Sequence, residues 1–385
     1  MLQTGILLPR STLFPSIGID ILNGIRNAWE LQGVSGDISV KLDNIGFGID
    51  EDEIYRLTEK LVLQDNLDLV IVCGDIRIEE LLRPLFTASG KILLMVNMGA
   101  NTPESWQKAP TTINHSLNFC IQALLTSGLA VQDEDKRAAY TASYYDAGYR
   151  QIFHMMNGHQ IQGGVPVYTH VTHLKNENFT IQPLEDLLNQ DASLKKLCCL
   201  FCADQAQLFY NHIRNLTAKD RLQLYVTPMM LEESLLASLE TDIYPLSVQG
   251  YIPWHASLEN ESNKQFTESM QQHNSKAPDY FSLLGWEAGH ITGYISKLHK
   301  EGNRNATALV KACTEYTFSS PRGWLKIDPE THFSYAPARL ARVIENNKLE
   351  IGPDNNDTLA ALDVMKQPSN SPGEATGWRN TYLCI

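Results

Sequence analysis

Two Rossmann-like, doubly wound α/β lobes are the architecture this sequence predicts, on three observations. Short apolar, β-branched runs alternate with longer stretches of helical period. The alternation occurs twice, once before about residue 115 and again from about residue 137. At 385 residues the chain also exceeds what a single hydrophobic core usually serves, so about two domains are expected.

The elements follow in order. Strands are expected at Thr4–Leu8, Ile38–Leu42, Leu67–Val72, Lys91–Val96, Arg137–Ser143, Val167–Thr172, Lys196–Cys202 and Leu222–Thr227. Leu67–Val72 is continuously apolar except for Asp68, as strands buried on both faces of a parallel sheet tend to be. Helices fill most of the gaps. Ile17, Ile21, Ile25, Ala28 and Trp29 repeat at three and four residues, and so do Ile54, Leu57, Leu61 and Val62. In Gln205–Leu216, one face carries Leu208, Phe209, His212, Ile213 and Leu216. After residue 250 two long helices are expected, Glu259–Asn274 and Asp279–Lys300. A Gly/Pro-marked turn at Ser319–Gly323 then leads into extended Trp324–Asp328, with a hairpin partner around His332–Ala336. From Lys366 the chain is rich in Pro, Ser, Gly and Asn, and is expected to form a tail or a surface strap.

Composition narrows the function. Hydrophobic residues are 43% and charged residues 19%, ordinary for a packed globular chain. Lys and Arg less Asp and Glu give 31 − 44 = −13, and a surface that acidic disfavours nucleic acid and anionic lipid. The longest apolar candidate, Leu117 to Val131, is broken by Asn118, Gln122, Thr126 and Ser127, so no bilayer-spanning helix is expected. Strand-like Gly5–Leu8 starts almost at Met1, leaving no room for a basic segment and a cleavable apolar run. A cytoplasmic protein, or one standing without its leader, is expected. The seven cysteines are odd in number and lack a framework spacing, which slightly favours a reducing compartment.

In open α/β sheets ligands bind beyond the carboxyl ends of strands, so the strand order selects the loops to inspect. They are Pro9–Gly18, Cys73–Ile78, Asn97–Pro103, Tyr144–Tyr149, Ala203–Gln205 and Pro228–Met230. Hydroxyls in the first, small backbone-exposing residues in the third, and Tyr144, Tyr145 and Tyr149 around Asp146 in the fourth suit a modest organic ligand. The same residues also admit plainer roles. Gly18, Gly24, Gly74, Gly99 and Gly148 are each explicable as turn residues needing positive φ, Tyr145 and Tyr149 as core aromatics, and Asp204 as a helix cap.

Enzyme signals are weak. The chain has no glycine-rich nucleotide loop after a strand and no Gly-x-Ser-x-Gly elbow, and neither Tyr145 nor Tyr149 is followed four residues later by Lys. No cofactor and no metal site is expected. Cys198, Cys199 and Cys202 sit in an apolar strand run whose alternate residues face opposite sides, so they read as core. His154, His159, His170 and His173 read as structural. Glu287-x-x-His290 has a di-iron-like spacing, but a single copy on an amphipathic helix reads as a surface pair.

With those residues in view, the chain resembles the type 1 periplasmic binding proteins of the leucine and branched-chain amino-acid receptor group. The resemblance begins in Gly5-Ile-Leu-Leu-Pro, Ser11 to Gly18 and Asn23-Gly24-Ile-Arg-Asn-Ala. It continues in Asn97-Met-Gly-Ala-Asn-Thr-Pro-Glu, Tyr145-Asp-Ala-Gly-Tyr149 and Phe266 through Gly285-Trp-Glu-Ala, and closes in Phe318-Ser-Ser-Pro-Arg-Gly-Trp-Leu-Lys-Ile-Asp328. It implies two lobes joined by three crossovers that close on a ligand released unchanged. Lobe one would hold residues 1–118 and 252–323, lobe two 119–251 and 324–365, with crossovers near His115–Phe119, Gln249–Pro253 and Gly323–Lys326. The ligand contacts it implies are Ser11, Thr12 and Phe14; Asp75 and Ile76; Ala100, Asn101 and Thr102; Tyr145 and Tyr149; Asp204; and Met229. It further implies a small-molecule ligand (an amino acid, amide or small acid), an ABC transporter permease as partner, and a periplasmic or cell-surface location. One departure stands out: where amino-acid binders of the family place an acid for the ammonium, this chain has Pro228-Met229-Met230, which points to a more apolar or neutral ligand. A cytoplasmic amide-type sensor on the same fold is the alternative.

Overall fold

The computed structural model describes residues 1–274, 276–367 and Tyr382. Fifteen strands occur among them. They are β1 Leu2–Leu8, β2 Ile38–Asn44, β3 Leu69–Cys73, β4 Ile92–Asn97, β5 Thr112–Ser116, β6 Arg137–Ala142, β7 Val165–Val171 and β8 Lys196–Leu200. The rest are β9 Gln223–Val226, β10 Ser247–Ile252, β11 Phe318–Ser320, β12 Gly323–Ile327, β13 Ser334–Tyr335, β14 Ala338–Ile344 and β15 Lys348–Asn355. The chain divides into two compact units and passes from one to the other after Leu117, Pro253 and Pro337.

The first unit is built on a parallel sheet of order β2-β1-β3-β4-β5. Its central strands are apolar throughout: all five residues of β3 are buried, as are the first five of β4. Burial on both faces requires helices on both faces, which the intervening amphipathic segments supply. The helix Ile17–Leu31 lies against the long helix Tyr280–Lys300, capped by Asp279. Their close approach explains Gly24 and Gly285. A β-carbon on Gly24 would lie 2.1 Å from the Ser282 carbonyl oxygen, and one on Gly285 would lie 2.0 Å from that of Ile21. Of the five glycines expected to need positive φ, only Gly99 has it, at 77°.

The second unit repeats the plan. Five parallel strands lie in the order β7-β6-β8-β9-β10, and antiparallel β14 and β15 extend the sheet beyond β10. One side of this sheet packs Leu197, Cys199, Leu224 and Val226 with Phe201, Phe209 and Ile213. The other packs Tyr140, Cys198, Leu200 and Tyr225 with Ala123 and Met155. Cys198 and Cys199 therefore face opposite sides, and burial lifts the Cys198 thiol to about 12 and the Cys199 thiol well upward.

Two expectations are corrected. Residues 324–337 lie in the first unit, not the second, because β12 pairs antiparallel with β11 and β13, and Phe333 bridges to Asn114 of β5. The third crossing accordingly follows Pro337 rather than falling near Gly323–Lys326. Glu287 is not at the surface: it is 1% exposed and held by Arg322. The expected tail lies outside the described residues except for Lys366, Gln367 and Tyr382.

Candidate functional site

In a sheet of order 2-1-3-4-5 the chain winds outward in opposite directions from β1 and β3, and the crevice between their carboxyl ends is where ligands lodge. The first unit places three loops there: 9–16 after β1, 74–77 after β3, and 98–103 after β4. Two of them lead directly into helices, Ile17–Leu31 and Ile78–Ser89, whose N-termini carry partial positive charge toward the same edge. An open-mouthed pocket of about 320 Å³ of empty space, its solvent-filled mouth included, sits among these loops. Ile17, Ile21, Phe281 and Leu284 supply its apolar wall, while Gly74, Asp75, Asn97 and Met98 supply the rim at the strand ends.

The residues expected to contact ligand in this unit fall into three groups. Ser11 is buried, donates its hydroxyl proton to the Tyr382 carbonyl at 2.7 Å and accepts from the Phe14 amide at 3.0 Å. Phe14 tilts onto Phe281 with ring centroids 5.1 Å apart, whereas Thr12 is exposed. Asp75 lines the pocket with its carboxylate engaged: Arg77 donates through its amide at 3.0 Å and Nε at 3.1 Å, and Asn101 through Nδ2 at 2.5 Å. This buried ion pair shapes the wall and brings the second and third loops together. Ile76, Ala100, Asn101 and Thr102 are buried. Next to them, Asn97 Oδ1 accepts from the Gly99 amide at 2.9 Å, closing a tight turn that needs the left-handed glycine.

The second unit has the equivalent loops after β6, β8 and β9. Ser143 donates to Asp146 Oδ2 at 2.5 Å and accepts from the Asp146 amide at 2.9 Å, folding the loop that holds Tyr145 and Tyr149. Burial raises the Asp146 carboxyl to about 6, with hydrogen bonds from Ser143 and Cys202 pulling partway back. Tyr149 is buried, while Tyr145 is half-buried beside Tyr144, edge to face at 6.0 Å. Asp204 does not cap its helix. It is exposed and accepts from Asn176 Nδ2 at 3.4 Å, and the cap position is Cys202. Ala203 has φ of 47°, a left-handed backbone unusual for a residue with a side chain, at the first residue of the helix Ala203–Ile213 that follows β8. Met229 and Met230 are both buried, Met230 within the core and with its carbonyl accepting from Tyr210 at 2.8 Å.

Sequence reasoning passed over Phe281, Leu284, Ile17 and Ile21 as pocket wall, since each repeats at core spacing on its helix. Among the described residues no group of three or more His, Cys, Asp or Glu is placed to hold a metal ion, and no helix is long and apolar enough to cross a membrane.

The family described as periplasmic binding protein matches residues 2–348. No curated protein is significantly similar to the chain. Among solved structures, an ABC transporter solute-binding protein from Rhodopseudomonas palustris BisB5, in complex with 3,4-dihydroxybenzoic acid, is 18% identical with a TM-score of 0.73. The match covers 92% of this chain and 96% of that one. An ABC transporter substrate-binding protein from Sphaerobacter thermophilus is 17% identical with a TM-score of 0.78, covering 91% and 96%. A leucine-binding protein from Thermotoga maritima MSB8 is 13% identical with a TM-score of 0.67, covering 93% and 99%.

Proposed function

The chain belongs to the periplasmic binding protein family, whose members bind solutes and do not transform them, and on that premise we propose that it is the solute-binding component of an ABC importer. Its ligand is a small carboxylate or amide with an apolar body: an amino acid, an amide or a short aromatic acid. The observation that carries this reading is the pocket at the β1/β3 switch point, with an apolar wall of Ile17, Ile21, Phe281 and Leu284 and a rim of Gly74, Asp75, Asn97 and Met98 at the strand ends, in loops that lead into two helix N-termini. An apolar body rests on Ile21, Phe281 and Leu284, and a carboxylate or carbonyl oxygen is drawn to the positive helix ends. Benzoate-type complexes of similarly folded proteins, and a leucine-binding protein of similar fold, support a ligand of this size. The apolar, buried Pro228-Met229-Met230 turn favours an aromatic or neutral body over an α-ammonium group.

Intrinsic fluorescence titrated with benzoate, 4-hydroxybenzoate, leucine and acetamide tests the proposal. Saturable quenching by at least one probe, with the probe recovered unchanged, is expected. Silence toward all four overturns it. A small-molecule sensor in the cytoplasm is the second reading, favoured by six buried cysteines that are all free thiols. Cell fractionation separates the two, since an importer component is recovered outside the inner membrane beside its permease.

A further inference from the structure

We propose that Asn97 is a specificity-determining residue of the pocket: its side-chain Nδ2 donates to an oxygen on the polar end of the ligand, a carboxylate or carbonyl seated at the carboxyl end of β4. This deepens the binding function proposed above and rests on it. Asn97 closes β4 and lines the pocket. Its Nδ2 is buried and finds no hydrogen-bond partner among the described residues. Buried polar groups are nearly always hydrogen-bonded, and one that is not costs its desolvation, so this donor calls for a partner that arrives from outside the chain.

The orientation of the amide is fixed by its surroundings. Oxygen and nitrogen of an Asn side chain are told apart by the groups they meet. The Gly99 amide donates to this side chain at 2.9 Å, so the atom it meets is the oxygen, and the nitrogen occupies the other branch. The turn behind that bond is set by the left-handed φ of 77° at Gly99, and the Asn97 carbonyl accepts from the Leu117 amide at 3.3 Å. With backbone and side-chain oxygen both anchored, the donor is held in place before a ligand enters, and little ordering remains to be done on binding.

The other lining side chains leave this role to Asn97. Ile17, Ile21, Phe281 and Leu284 are apolar. Asp75 is an acid engaged by Arg77 and Asn101. Burial pushes the Cys73 thiol up to about 12, which keeps it neutral and a weak donor. An oxygen acceptor is therefore read at Asn97, whereas an apolar group of the same shape leaves Nδ2 buried and unmet.

Asn97→Asp tests this in the full chain, because aspartate keeps an oxygen for the Gly99 amide and replaces only the donor. The probes are benzoate, a charged acceptor, and acetophenone, whose uncharged carbonyl can only accept. Both are expected to bind the natural chain and to bind the variant at least about tenfold more weakly, with little change in melting temperature. Unchanged affinity for both means that Asn97 serves only its turn, and overturns the proposal. A loss for benzoate alone, with acetophenone bound as before, means repulsion at a distance rather than contact, and overturns it too. A second measurement needs no folded variant of equal stability. In the isotope-labelled natural chain, the Asn97 side-chain N–H resonances, identified by their absence from Asn97→Asp or Asn97→Ser, are expected to shift downfield as benzoate saturates. Resonances that stay in place while the probe is bound overturn the proposal. If benzoate, 4-hydroxybenzoate, leucine, acetamide and acetophenone all leave the natural chain unperturbed, the binding function itself fails and takes this assignment with it. Binding that survives intact in Asn97→Asp defeats the assignment alone.

Discussion

Glu287 and Arg322 form a bidentate ion pair in the interior of the first unit, Nε to Oε1 at 2.8 Å and Nη2 to Oε2 at 2.7 Å, with both side chains at most 1% exposed. The pair is enclosed by partners. Ser320 donates to the same carboxylate, Arg322 Nη2 donates to the Ser116 carbonyl at 3.3 Å, and His115 Nε2 stands 3.4 Å from Glu287 Oε2. Burial opposes the Glu287 charge, but Arg322 and His115 outweigh it and hold the carboxyl below its ordinary range. Removing one member of such a pair leaves the other charge buried and uncompensated. Glu287→Gln is expected to lose about 3–5 kcal/mol of stability, read as a lower urea midpoint. A double variant, Glu287→Gln with Arg322→Met, is expected to recover part of that loss, since no bare charge remains.

Acid is expected to unfold the protein well before carboxylates in general are neutralised. Burial holds His115 and His290 down to about 4 and His154 to about 3, against an ordinary value near 6.5. The unfolded chain therefore binds protons that the folded chain refuses, so stability is complete above about pH 6.5 and drains as pH falls toward 4. The fall from 6.5 to about 4 corresponds to at most about 3 kcal/mol for His115 and for His290, and the fall from 6.5 to about 3 to at most about 5 kcal/mol for His154. Urea midpoints at pH 7.5, 5.5 and 4.5 check this; equal midpoints at the three values would sink it.

How much of this was legible depends on how the chain satisfies its polar groups. β3 and β4 announce themselves because Leu-Val-Ile-Val and Ile-Leu-Leu-Met-Val have no partners to find except apolar ones. β5, Thr-Ile-Asn-His-Ser, is just as buried and was invisible, because polar side chains interrupt its apolar run and its backbone is bonded by residues far along the chain. The Asn114 amide donates to the His332 carbonyl at 2.9 Å, and the Ser116 amide donates to Ser334 Oγ at 2.9 Å. Glu287 escaped for the same reason: its partner lies 35 positions away. The loop positions were legible because strand order alone fixes them, whereas the wall made by Phe281 and Leu284 was not, since helical spacing cannot separate a core face from a pocket face. The seating of Tyr382 on Ser11 leaves no trace in local pattern at all.

Asp146 gives the opposite pH signature. Its carboxyl is raised to about 6 by burial, so the folded state holds a proton that the unfolded state releases near 3.8. Stability from this group is present at low pH and is lost as pH rises through about 6. Asp146→Asn keeps the neutral shape and removes the charge. It is expected to raise stability by at most about 3 kcal/mol at pH 7.5 and to change little at pH 4.5. Thermal melts of both proteins at the two pH values check it, and equal gains at both would refute the assignment.

Phe281 separates binding from stability. Its ring forms pocket wall and carries Phe14, 5.1 Å away, while its backbone belongs to the helix that packs on Ile17–Leu31. Phe281→Leu preserves apolar volume and helix propensity but removes the flat ring and its contact with Phe14, a pair interaction of about 0.5–1.5 kcal/mol. The melting temperature is therefore expected to fall only slightly. A ligand with an aromatic body loses both the ring it lies on and the Phe14 position that ring sets, so 4-hydroxybenzoate is expected to bind about tenfold more weakly, equivalent to 1.4 kcal/mol. Glu287→Gln, buried away from the pocket wall, is expected to leave the same dissociation constant within twofold while lowering the melting temperature. Calorimetric titration of both variants at 15 °C, where each is folded, reads the difference. Equal losses of affinity in the two would mean that the ring acts only through the fold and that the pocket at the β1/β3 edge is not where the ligand sits.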